Sequence, residues 1–327
     1  CHECLDDLLN DPRRIDYPFI NCTNCGPRFT IIEGLPYDRT MTTMKNFRMC
    51  RDCNSEFRNI LDRRFHAQPI ACNYCGPIYR YEDSVKSFGG IKQIMEAASE
   101  QIVSGKTVAI KGLGGYHLMC DALNNNAVRE MRQRKQRDLK PFAVMFRDIS
   151  AVKKYCFVDE AEATEISSWR RPIVILKHRK ELSPAISNGL NTTGAMLPYM
   201  PFHYMLFKTI ETPAVVFTSG NISDEPVIID DLMAKKQLES VADSFLSYNR
   251  QIKNRTDDSV VRIIDKKVRL FRRSRGFVPA PVDLNCIVEG ILALGAEQKN
   301  SFCIGKGNQA LMSQHIGDLK NQATYSF

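Results

Sequence analysis

Long apolar runs are absent from this 327-residue sequence: none approaches the roughly 18–20 residues that a membrane-spanning helix requires. The first residues also lack the charged segment followed by an apolar segment that marks a secretory signal. We therefore expect a soluble, globular, cytoplasmic protein without a membrane partner. No methionine precedes Cys1, and the last residue follows shortly after a Gly-Asp turn signal, so we expect a piece of a longer protein.

Net charge is almost lacking in the first quarter of the chain. Lys and Arg number 11 against 10 Asp and Glu in residues 1–80 but 31 against 24 in residues 81–285, so the formal charge of +8 comes mainly from the middle. Few aromatic residues interleave with these cations, although stacking of bases on aromatic rings is usual in proteins that bind single-stranded nucleic acid. Both observations argue against a nucleic-acid partner.

Cysteine, by contrast, is abundant: eight of the 12 cysteines form four C-x-x-C pairs. Four soft thiolates suit tetrahedral zinc, and each C-x-x-C pair supplies two of them from one tight turn. A redox-active pair is the weaker interpretation, because it would need only one C-x-x-C. The predicted zinc ligands are Cys1, Cys4, Cys22, Cys25, Cys50, Cys53, Cys72 and Cys75.

The cysteine region is also duplicated. An Arg-Arg pair at 13–14 precedes Y-P-F-I-N-C-T-N-C-G-P (17–27), and a second at 63–64 precedes Q-P-I-A-C-N-Y-C-G-P (68–77), with the same offset from arginine to cysteine. The duplication predicts two separate zinc sites, one on the first four cysteines and one on the last four. Both sites would be structural, because about 80 residues with little apolar core of their own need metal to fold.

Polar residues then lead into an α/β pattern. Residues 81–90 are predicted to be a linker, and I-K-Q-I-M-E-A-A-S-E-Q-I-V (91–103) a helix. A predicted strand (107–110) runs into the glycine-rich turn K-G-L-G-G-Y-H-L (111–118), where backbone can approach a ligand closely. A plain connection is the alternative interpretation of this turn.

Two later strands are predicted at 172–176 and 214–218, and the second passes directly into S-G-N (219–221). Ser219 and Asn221 are small polar residues after a buried strand, so they can hydrogen-bond a phosphate or a small planar substrate. A turn with a helix cap is the alternative.

Cations are concentrated in R-E-M-R-Q-R-K-Q-R-D-L-K-P (129–141), which holds six Lys and Arg and precedes an apolar, strand-like run (142–146). We expect Pro141 to end a helix here. Arginine offers flat, bidentate donors to phosphate and lysine a mobile point charge, so the stretch suits the phosphates of a nucleotide. A solvated basic helix end is the alternative. The cations at this helix-to-strand junction are Arg134, Lys135, Arg137 and Lys140.

A second basic group lies in V-R-L-F-R-R-S-R (268–275). If the strand continues to its end, alternation sends Arg273 and Arg275 to one face, where they could meet a ligand. An exposed basic edge is the alternative. Further on, residues 291–295 and 300–304 are typical of two strands that begin a new sheet, too short to bury its own faces.

In this order the motifs resemble those of the HypF family of carbamoyltransferases, which are maturation factors of nickel–iron hydrogenases. The four C-x-x-C pairs with C-G-P are followed by K-G-L-G-G-Y-H-L, R-K-Q-R-D-L-K-P-F-A-V-M, L-P-Y-M-P-F-H, T-S-G-N-I-S-D-E-P, N-R-T-D-D-S-V-V, R-R-S-R-G-F-V-P and A-L-G-A-E-Q-K-N-S-F. The resemblance spans the whole chain. It is specific, because several motifs would have to occur together by accident in an unrelated protein.

The resemblance implies an α/β (α+β) multidomain protein. Residues 1–80 would form a tandem Cys4 zinc-finger region and residues 81–90 the linker. Residues 91–283 would form a YrdC-like domain, an open twisted α/β sheet with a basic nucleotide cavity. Residues 284–327 would begin a Kae-like domain of the ASKHA type. An acylphosphatase-like domain before Cys1 and most of the Kae-like domain would be missing.

The chemistry of the family is implied in the same way. Carbamate derived from carbamoyl phosphate reacts with ATP in the YrdC-like domain, giving carbamoyl-adenylate and pyrophosphate. The carbamoyl group then passes to the C-terminal cysteine of HypE and becomes the cyanide ligand of the hydrogenase iron. The expected cofactors are therefore two structural zinc ions, ATP and Mg²⁺. The expected partners are HypE and carbamoyl phosphate.

Residue roles follow from the resemblance together with the residue chemistry. The predicted catalytic residues are Lys135, Arg137, Ser219 and Asn221. The predicted nucleotide-binding residues are Tyr116, His117, Lys135, Arg137, Lys140, Ser219, Asn221, Arg273 and Arg275. No general base is required, because carbamate is already an anion. Tyr248 stands where the family pattern would have the histidine of H-N-R, which puts a role for that imidazole in doubt.

Two other functions stay open. A YrdC-type threonylcarbamoyl-adenylate synthase, acting in tRNA modification, would share the central domain, although the zinc pairs and the final segment argue against it. A protein that binds double-stranded RNA or tRNA is the third possibility, because YrdC-like domains carry a concave basic face and zinc knuckles often meet RNA. The charge distribution favours the cavity over the knuckles.

Overall fold

The fold is that of a computed structural model, which describes residues 1–180, 182–221, 225–320 and 324. Residues 222–224 of the T-S-G-N-I-S-D-E-P motif and residues 321–323 and 325–327 of the predicted Kae-like segment lie outside the described residues. The helices are α1 (His2–Asn10), α2 (Arg51–Arg58), α3 (Ile91–Val103), α4 (Asn125–Arg134), α5 (Ile149–Tyr155), α6 (Glu160–Ser167), α7 (Pro184–Ser187), α8 (Pro201–Thr209) and α9 (Asp231–Leu238). The strands are β1 (Tyr79–Asp83), β2 (Ser87–Phe88), β3 (Val108–Lys111), β4 (Tyr116–Asp121), β5 (Ala143–Phe146), β6 (Ile173–Lys177), β7 (Thr192–Met196), β8 (Ala214–Ser219), β9 (Ser244–Tyr248), β10 (Val260–Ile264), β11 (Lys267–Arg272), β12 (Val282–Asp283), β13 (Leu292–Leu294), β14 (Phe302–Lys306) and β15 (Gln309–Met312).

Among the described residues, 11 strands form one mixed sheet in the order β11-β10-β6-β7-β5-β8-β4-β3-β9-β1-β2. It contains the strands predicted at 107–110, 142–146, 172–176 and 214–218, each with bounds close to the prediction. The helix α3 begins and ends where the apolar period of residues 91–103 predicted. The central strand β4 pairs antiparallel with β3 and β8. The α/β fold class is therefore confirmed.

Alternation along the central strands sends apolar side chains to both faces of this sheet. On one face Met119 and Phe217 pack in a core that includes residues of α3 and α8 and continues into the zinc-finger region. On the other face Leu118 and Val216 pack in a core that includes residues of α4, α5 and α6. Because both faces are covered, the central strands appear in the sequence as continuous apolar runs.

The zinc-finger region holds little regular structure apart from α1, α2 and short 3-10 turns (Phe29–Ile31, Arg39–Met41 and Thr43–Asn46). It packs on the sheet through Phe19, whose ring stacks on Tyr79 with centroids 5.0 Å apart and meets Tyr248 edge-on at 4.9 Å. Asn254 also donates from its amide to the carbonyl oxygens of Phe29 and Ile32 at 2.7 and 2.9 Å. The finger region and the α/β sheet therefore share one core.

Residues 81–90 do not form the predicted linker. They contain most of β1 and all of β2, and β1 pairs antiparallel with β9 at the edge of the large sheet. Tyr79 and Tyr81 are buried, whereas Arg80 between them is exposed. This alternation is typical of a strand, but the polar residues that follow it suggested a connection. The division of the chain into domains remains a prediction.

The helix that carries the basic stretch, α4, ends at Arg134 rather than at Pro141. Gln136 has a positive φ of 50°. The backbone N–H of Gln136 donates to Gln133, and that of Arg137 donates back to Arg132, both at 3.0 Å. This is the Schellman pattern of a helix C-terminus. The prediction that proline ends the helix was wrong, because the left-handed cap acts first and leaves residues 135–140 as a loop.

The remaining described strands form a second, antiparallel sheet in the order β12-β15-β14-β13. Its β13 and β14 are the pair predicted near 291–295 and 300–304. Leu292 and Leu294 are 60% and 77% exposed and Ala293 between them is exposed too, so neither face of β13 is covered by the described residues. Within the described part of the chain, no helix combines the length and the apolar composition that crossing a membrane would require.

Candidate functional site

The eight early cysteines lie in two separate groups, as the duplication predicted. In each group the four Sγ atoms lie within 4.8 Å of one another. In the first group, Cys1 Sγ is 3.6 Å from Cys22 Sγ, and Cys25 Sγ is 3.5 Å from Cys4 Sγ. A zinc ion with four sulfur ligands at about 2.3 Å would set these Sγ–Sγ edges at about 3.8 Å. The donor set and its spacing therefore fit tetrahedral zinc.

The second group has the same dimensions. Its Sγ–Sγ distances are 3.8 Å between Cys50 and Cys72 and 3.7 Å between Cys75 and Cys53. The Cys50 Sγ accepts from the backbone N–H of Cys53 at 3.5 Å and so caps the N-terminus of α2. Such N–H to sulfur contacts stabilise a thiolate. The cysteines therefore belong to two Cys4 zinc-binding clusters.

A second site lies where α4 and β8 end. Lys135 is 2% exposed, and its Nζ donates to the carbonyl oxygens of Ser219 and Asn221, both at 2.6 Å. The same Nζ lies 2.8 Å from Asn221 Oδ1, which also accepts from Ser219 Oγ at 2.8 Å. Burial, together with the charges of Arg137 and Lys140, lowers the pKa of Lys135 to about 7. Three of the predicted catalytic residues are thus in direct contact.

Arg137, the fourth predicted catalytic residue, contacts the loop that follows α4. Its Nε and one terminal nitrogen donate to the carbonyl oxygens of Lys140 and Pro141 at 3.2 and 3.0 Å, and its guanidinium lies over the Phe142 ring. Lys140 is exposed. The structure therefore brings the basic stretch to the same strand ends as Lys135, while the role of each cation in binding phosphate stays a prediction.

Arg132 holds this loop, and the sequence reasoning did not single it out. One terminal nitrogen donates to the carbonyl oxygens of Arg137 and Lys140, and the Nε and the other nitrogen donate to Ala185 at 3.0 and 2.7 Å. Its guanidinium also lies 4.5 Å from the centre of the Phe142 ring. The number of cations in this stretch could not predict the structural role of Arg132, because nothing in the sequence distinguishes an arginine that binds a loop from one that binds phosphate.

His117 belongs to a buried ionic group beside Ser219. The two residues are directly paired in the β4–β8 ladder, so their side chains share one face of the sheet. His117 Nε2 lies 3.2 Å from Asp258 Oδ2, and Arg275 Nε donates to Asp258 Oδ1 at 2.7 Å. Burial alone would raise the pKa of Asp258, but Arg275 and His117 hold it below its usual range.

Aromatic rings complete this group. The Arg275 guanidinium lies 3.7 Å from the centre of the Tyr199 ring, and Phe217 stacks on His117 and meets His203. Burial and the nearby His117 and Arg275 lower the pKa of His203 to about 3. Within the described residues, His117 Nδ1, Tyr199 OH and His203 Nε2 are buried without a hydrogen-bond partner. Buried polar atoms of this kind favour a bound polar molecule nearby.

Tyr199, His203 and Asp258 were missed as site residues. They lie inside two of the motifs that carried the resemblance, L-P-Y-M-P-F-H and N-R-T-D-D-S-V-V. A histidine within an otherwise apolar helix start, and an aspartate just before a strand, were the available signals. Neither signal says which distant residue the side chain will meet.

Tyr116 does not share a cavity with His117. Adjacent residues on a strand point to opposite faces, and Tyr116 packs in the core on the other side of the sheet from His117. The Tyr116 hydroxyl donates to Asp231 Oδ1 at 2.8 Å, and Lys111 Nζ lies 2.7 Å from the same oxygen. The structure therefore separates two residues that were predicted to line one cavity.

Tyr248, which stands in place of the expected histidine, has a structural position. It is 2% exposed, and its hydroxyl donates to the carbonyl oxygen of Gly112 at 2.7 Å. Lys111 Nζ donates to the carbonyl oxygen of Tyr248 at 3.0 Å. Tyr248 thus holds the start of the glycine-rich turn.

The glycines of that turn approach other backbone of the same chain. A Cβ on Gly114 would lie 2.1 Å from the carbonyl oxygen of Thr256, and a Cβ on Gly220 would lie within 3 Å of the Tyr116 backbone. The close approach that the glycines permit is therefore used in packing between the chain segments around Tyr116, Ser219 and Asp258.

Arg273 and Arg275 point to different partners. The strand β11 ends at Arg272, so alternation does not continue through them. Arg273 donates to the carbonyl oxygens of Phe277 at 3.0 Å and Met312 at 3.4 Å, next to the second sheet. Arg275 donates to the carbonyl oxygens of residues 170 and 171 at 3.0 and 2.8 Å as well as to Asp258. Their joint action on one ligand stays a prediction.

Three family models match the chain. The Sua5–YciO–YrdC model, described as "Telomere recombination", matches residues 100–274. The "HypF finger" model matches residues 1–32 and 49–81. The "HypF Kae1-like domain" model matches residues 287–327.

Two curated relatives and one solved structure agree with these models. The chain is 40% identical over 328 residues to the carbamoyltransferase HypF of Rhodobacter capsulatus, covering 99% of the chain and 44% of the relative. It is 43% identical over 331 residues to the carbamoyltransferase HypF of Synechocystis sp., covering 99% of the chain and 43% of the relative. A crystal structure of full-length HypF in a phosphate- and nucleotide-bound form has a TM-score of 0.94 at 47% identity, covering 100% of the chain and 43% of that protein.

The chain spans less than half the length of the relatives it matches. The matches nevertheless run across both Cys4 clusters, the large sheet and the second sheet in one order. The chain belongs to the HypF carbamoyltransferase family.

Proposed function

We propose that this chain carries the adenylation step of an ATP-dependent carbamoyltransferase. An oxygen of carbamate, derived from carbamoyl phosphate, forms a bond to the α-phosphorus of ATP. The bond from that phosphorus to the oxygen that bridges to the β-phosphate breaks, and pyrophosphate leaves with the electron pair. Carbamoyl-adenylate is the product. No proton has to be removed, because carbamate is already an anion.

The convergence of Lys135, Ser219 and Asn221 is the observation that carries this proposal. Negative charge develops on the α-phosphate during the displacement, and fixed cations and hydrogen-bond donors at that position lower the barrier. Lys135 can exchange a contact with Ser219 or Asn221 for a phosphate oxygen, while its remaining contacts keep the ammonium group in position. The hydroxyl of Ser219 and the amide of Asn221 would orient the carbamate or the α-phosphate.

Arg137 and Lys140 are proposed to contact the β- and γ-phosphates from the loop after α4. Arg273 and Arg275 would close the other side only by exchanging a carbonyl or carboxylate partner for phosphate. His117 would lie at the carbamate end, because its strand register places it beside Ser219. Mg²⁺, when bound, would neutralise the charge of the departing pyrophosphate.

In the whole protein the carbamoyl group would pass to the C-terminal cysteine of HypE, and we propose a cytoplasmic location for this reaction. The Kae1-like match covers only residues 287–327 of this chain.

The exchange of labelled pyrophosphate into ATP tests the proposal. Exchange should depend on carbamate, and bicarbonate should replace carbamate poorly. Lys135→Ala should abolish exchange with no change in zinc content, whereas Lys92→Ala on the exposed side of α3 should leave exchange intact. Exchange that depends on threonine together with bicarbonate would indicate a threonylcarbamoyl-adenylate synthase. Tight, steeply salt-dependent RNA binding without exchange would favour a nucleic-acid-binding protein.

A further inference from the structure

Arginines of each finger unit contact the metal-ligand cysteines of the other unit. Arg13 and Arg14 belong by sequence to the first unit, yet terminal nitrogens of both donate to Cys53 Sγ of the second unit, at 3.9 and 3.7 Å. Arg14 is fully buried, and its Nε donates to the carbonyl oxygen of Ala71, the residue before Cys72, at 3.3 Å. The arginines of the first unit therefore lie against the metal ligands of the second.

The reverse contacts are made from the second unit. A terminal nitrogen of Arg63 donates to Cys4 Sγ of the first unit at 3.2 Å. Arg64 is 4% exposed, and its Nε donates to the carbonyl oxygen of Asn21, the residue before Cys22, at 3.0 Å. Each Nε thus contacts the equivalent carbonyl group in the other unit. The duplicated sequence has produced a reciprocal pair of contacts.

Carboxylates and backbone groups also make reciprocal contacts between the two finger units. Asp7 lies one helical turn after Cys4 and pairs with Arg63 and Arg64, and Glu56 lies one turn after Cys53 and pairs with Arg13 and Arg14. The backbone N–H of residue 23 donates to Arg63, and that of residue 73 to Arg13, at 3.3 and 3.2 Å. The contacts are therefore part of the fold of both units.

The charges explain why such contacts matter to the metal. A zinc ion with four thiolates has a net charge of about −2, and water cannot solvate that charge where the sulfur atoms are buried. Guanidinium groups keep their charge when buried and donate to sulfur from fixed directions. Residues that bind metal ligands from outside typically change metal affinity 10- to 100-fold when they are removed.

We propose that Arg13, Arg14, Arg63 and Arg64 form a reciprocal brace, in which each finger unit supplies the cations that stabilise the zinc site of the other. The two zinc ions are then held as a coupled pair. Loss of either ion frees the arginine pair of its own unit and weakens the other site. The duplicated fingers act as one metal-dependent body, which presents Phe19 to the α/β sheet.

Chelator competition followed by alkylation of the released cysteines tests the brace in the whole 327-residue chain. Mass spectrometry identifies which thiols become reactive first. Arg63→Ala, a change in the second unit, should release zinc from the first four cysteines at a 10- to 100-fold lower chelator concentration. Arg13→Ala should do the same to the last four cysteines. Arg58→Ala, an exposed arginine on α2, is the matched control.

The brace would be wrong if each variant loosened only the cysteines of its own unit, or if Arg63→Ala matched the Arg58→Ala control. Arg63→Lys provides a second test should Arg63→Ala fail to fold, because lysine keeps the charge but cannot contact Cys4 and Asp7 with separate nitrogens. We expect Arg63→Lys to weaken the first site by a smaller factor. A further variant, Cys25→Ser, should accelerate zinc release from the last four cysteines, and an unchanged rate would contradict the coupling.

Discussion

Lys135 and Asn221 lie 86 positions apart in the chain, yet the Nζ of the lysine is 2.8 Å from the amide oxygen of the asparagine. The contact forms because α4 and β8 end at neighbouring points, where Ser219 also turns toward Asn221. A buried ammonium group that donates to neutral oxygens can attract an anion strongly, because little water competes for it. The same burial makes its charge dependent on pH.

We predict that ATP affinity falls as pH rises above about 7, the pKa of Lys135 in this structure. A lowered lysine pKa means that the charged form is fully present below that pH and is lost above it. Phosphate binding favours the charged form of Lys135, so at pH 8 the protein should take up about one proton for each nucleotide that binds. ATP affinity should fall by up to about tenfold per pH unit. Calorimetry in buffers of different ionisation enthalpy measures the proton uptake.

Lys135→Arg is the matched variant for this prediction. Arginine keeps its charge at pH 9, so any affinity that the variant retains should vary little between pH 7 and 9. Wild-type affinity that is equally flat over this range, with no proton uptake, would show that Lys135 is not the group that meets phosphate.

Asn221→Asp should lower ATP affinity by at least about tenfold, because a carboxylate at the end of β8 would pair with Lys135 and repel phosphate. The substitution changes charge without changing size. Asn126→Asp is the control, since this exposed residue in the first turn of α4 receives the same charge change away from Lys135. Nucleotide titration of both variants, with zinc content measured in parallel, separates loss of binding from loss of folding. Equal ATP affinity in the two variants would count against Asn221 as a site residue.

Regular elements with clear apolar periods were predictable from the sequence. The bounds of α3 follow from a 3.6-residue apolar period bounded by Gly90 and Gly105, and β8 follows from a continuous apolar run. The two cysteine groups were predictable because the duplication restricts which pairs can share a metal. Contact between Lys135 and Ser219 required a family resemblance, since no local pattern joins residues so far apart.

Side-chain direction at the ends of strands was not predictable. The backbone leaves the strand conformation after Arg272, so Arg273 and Arg275 reach different partners. The separation of Tyr116 from His117 could have been predicted, because it needs only the two-residue period of a strand. The exchange of arginines between fingers could not, since a repeated Arg-Arg pair is equally compatible with contacts inside each unit.

Asp258→Asn should destabilise the protein by about 3 kcal/mol, because it leaves Arg275 buried without its carboxylate partner. The melting temperature should fall by roughly 6–12 °C, given about 2–4 °C per kcal/mol for a domain of this size. Asp257→Asn is the control, because this neighbouring carboxylate is only partly buried. Differential scanning fluorimetry with zinc present compares them, and equal melting temperatures would refute the structural importance of the Asp258–Arg275 pair.

Gly114→Ala should lower stability and nucleotide affinity together. The added Cβ would lie 2.1 Å from the carbonyl oxygen of Thr256, a backbone atom that cannot move aside as a side chain would. Overpacking of this kind costs about 1–3 kcal/mol. The displacement of the Thr256 backbone should also move Asp258, two residues further along the chain, and so disturb its contact with His117. Gly89→Ala is the control, since a Cβ there meets no atom within 4 Å. Thermal unfolding and ATP titration of the two variants measure the effect, and a Gly114→Ala protein that matches Gly89→Ala in both would show that the turn tolerates the displacement.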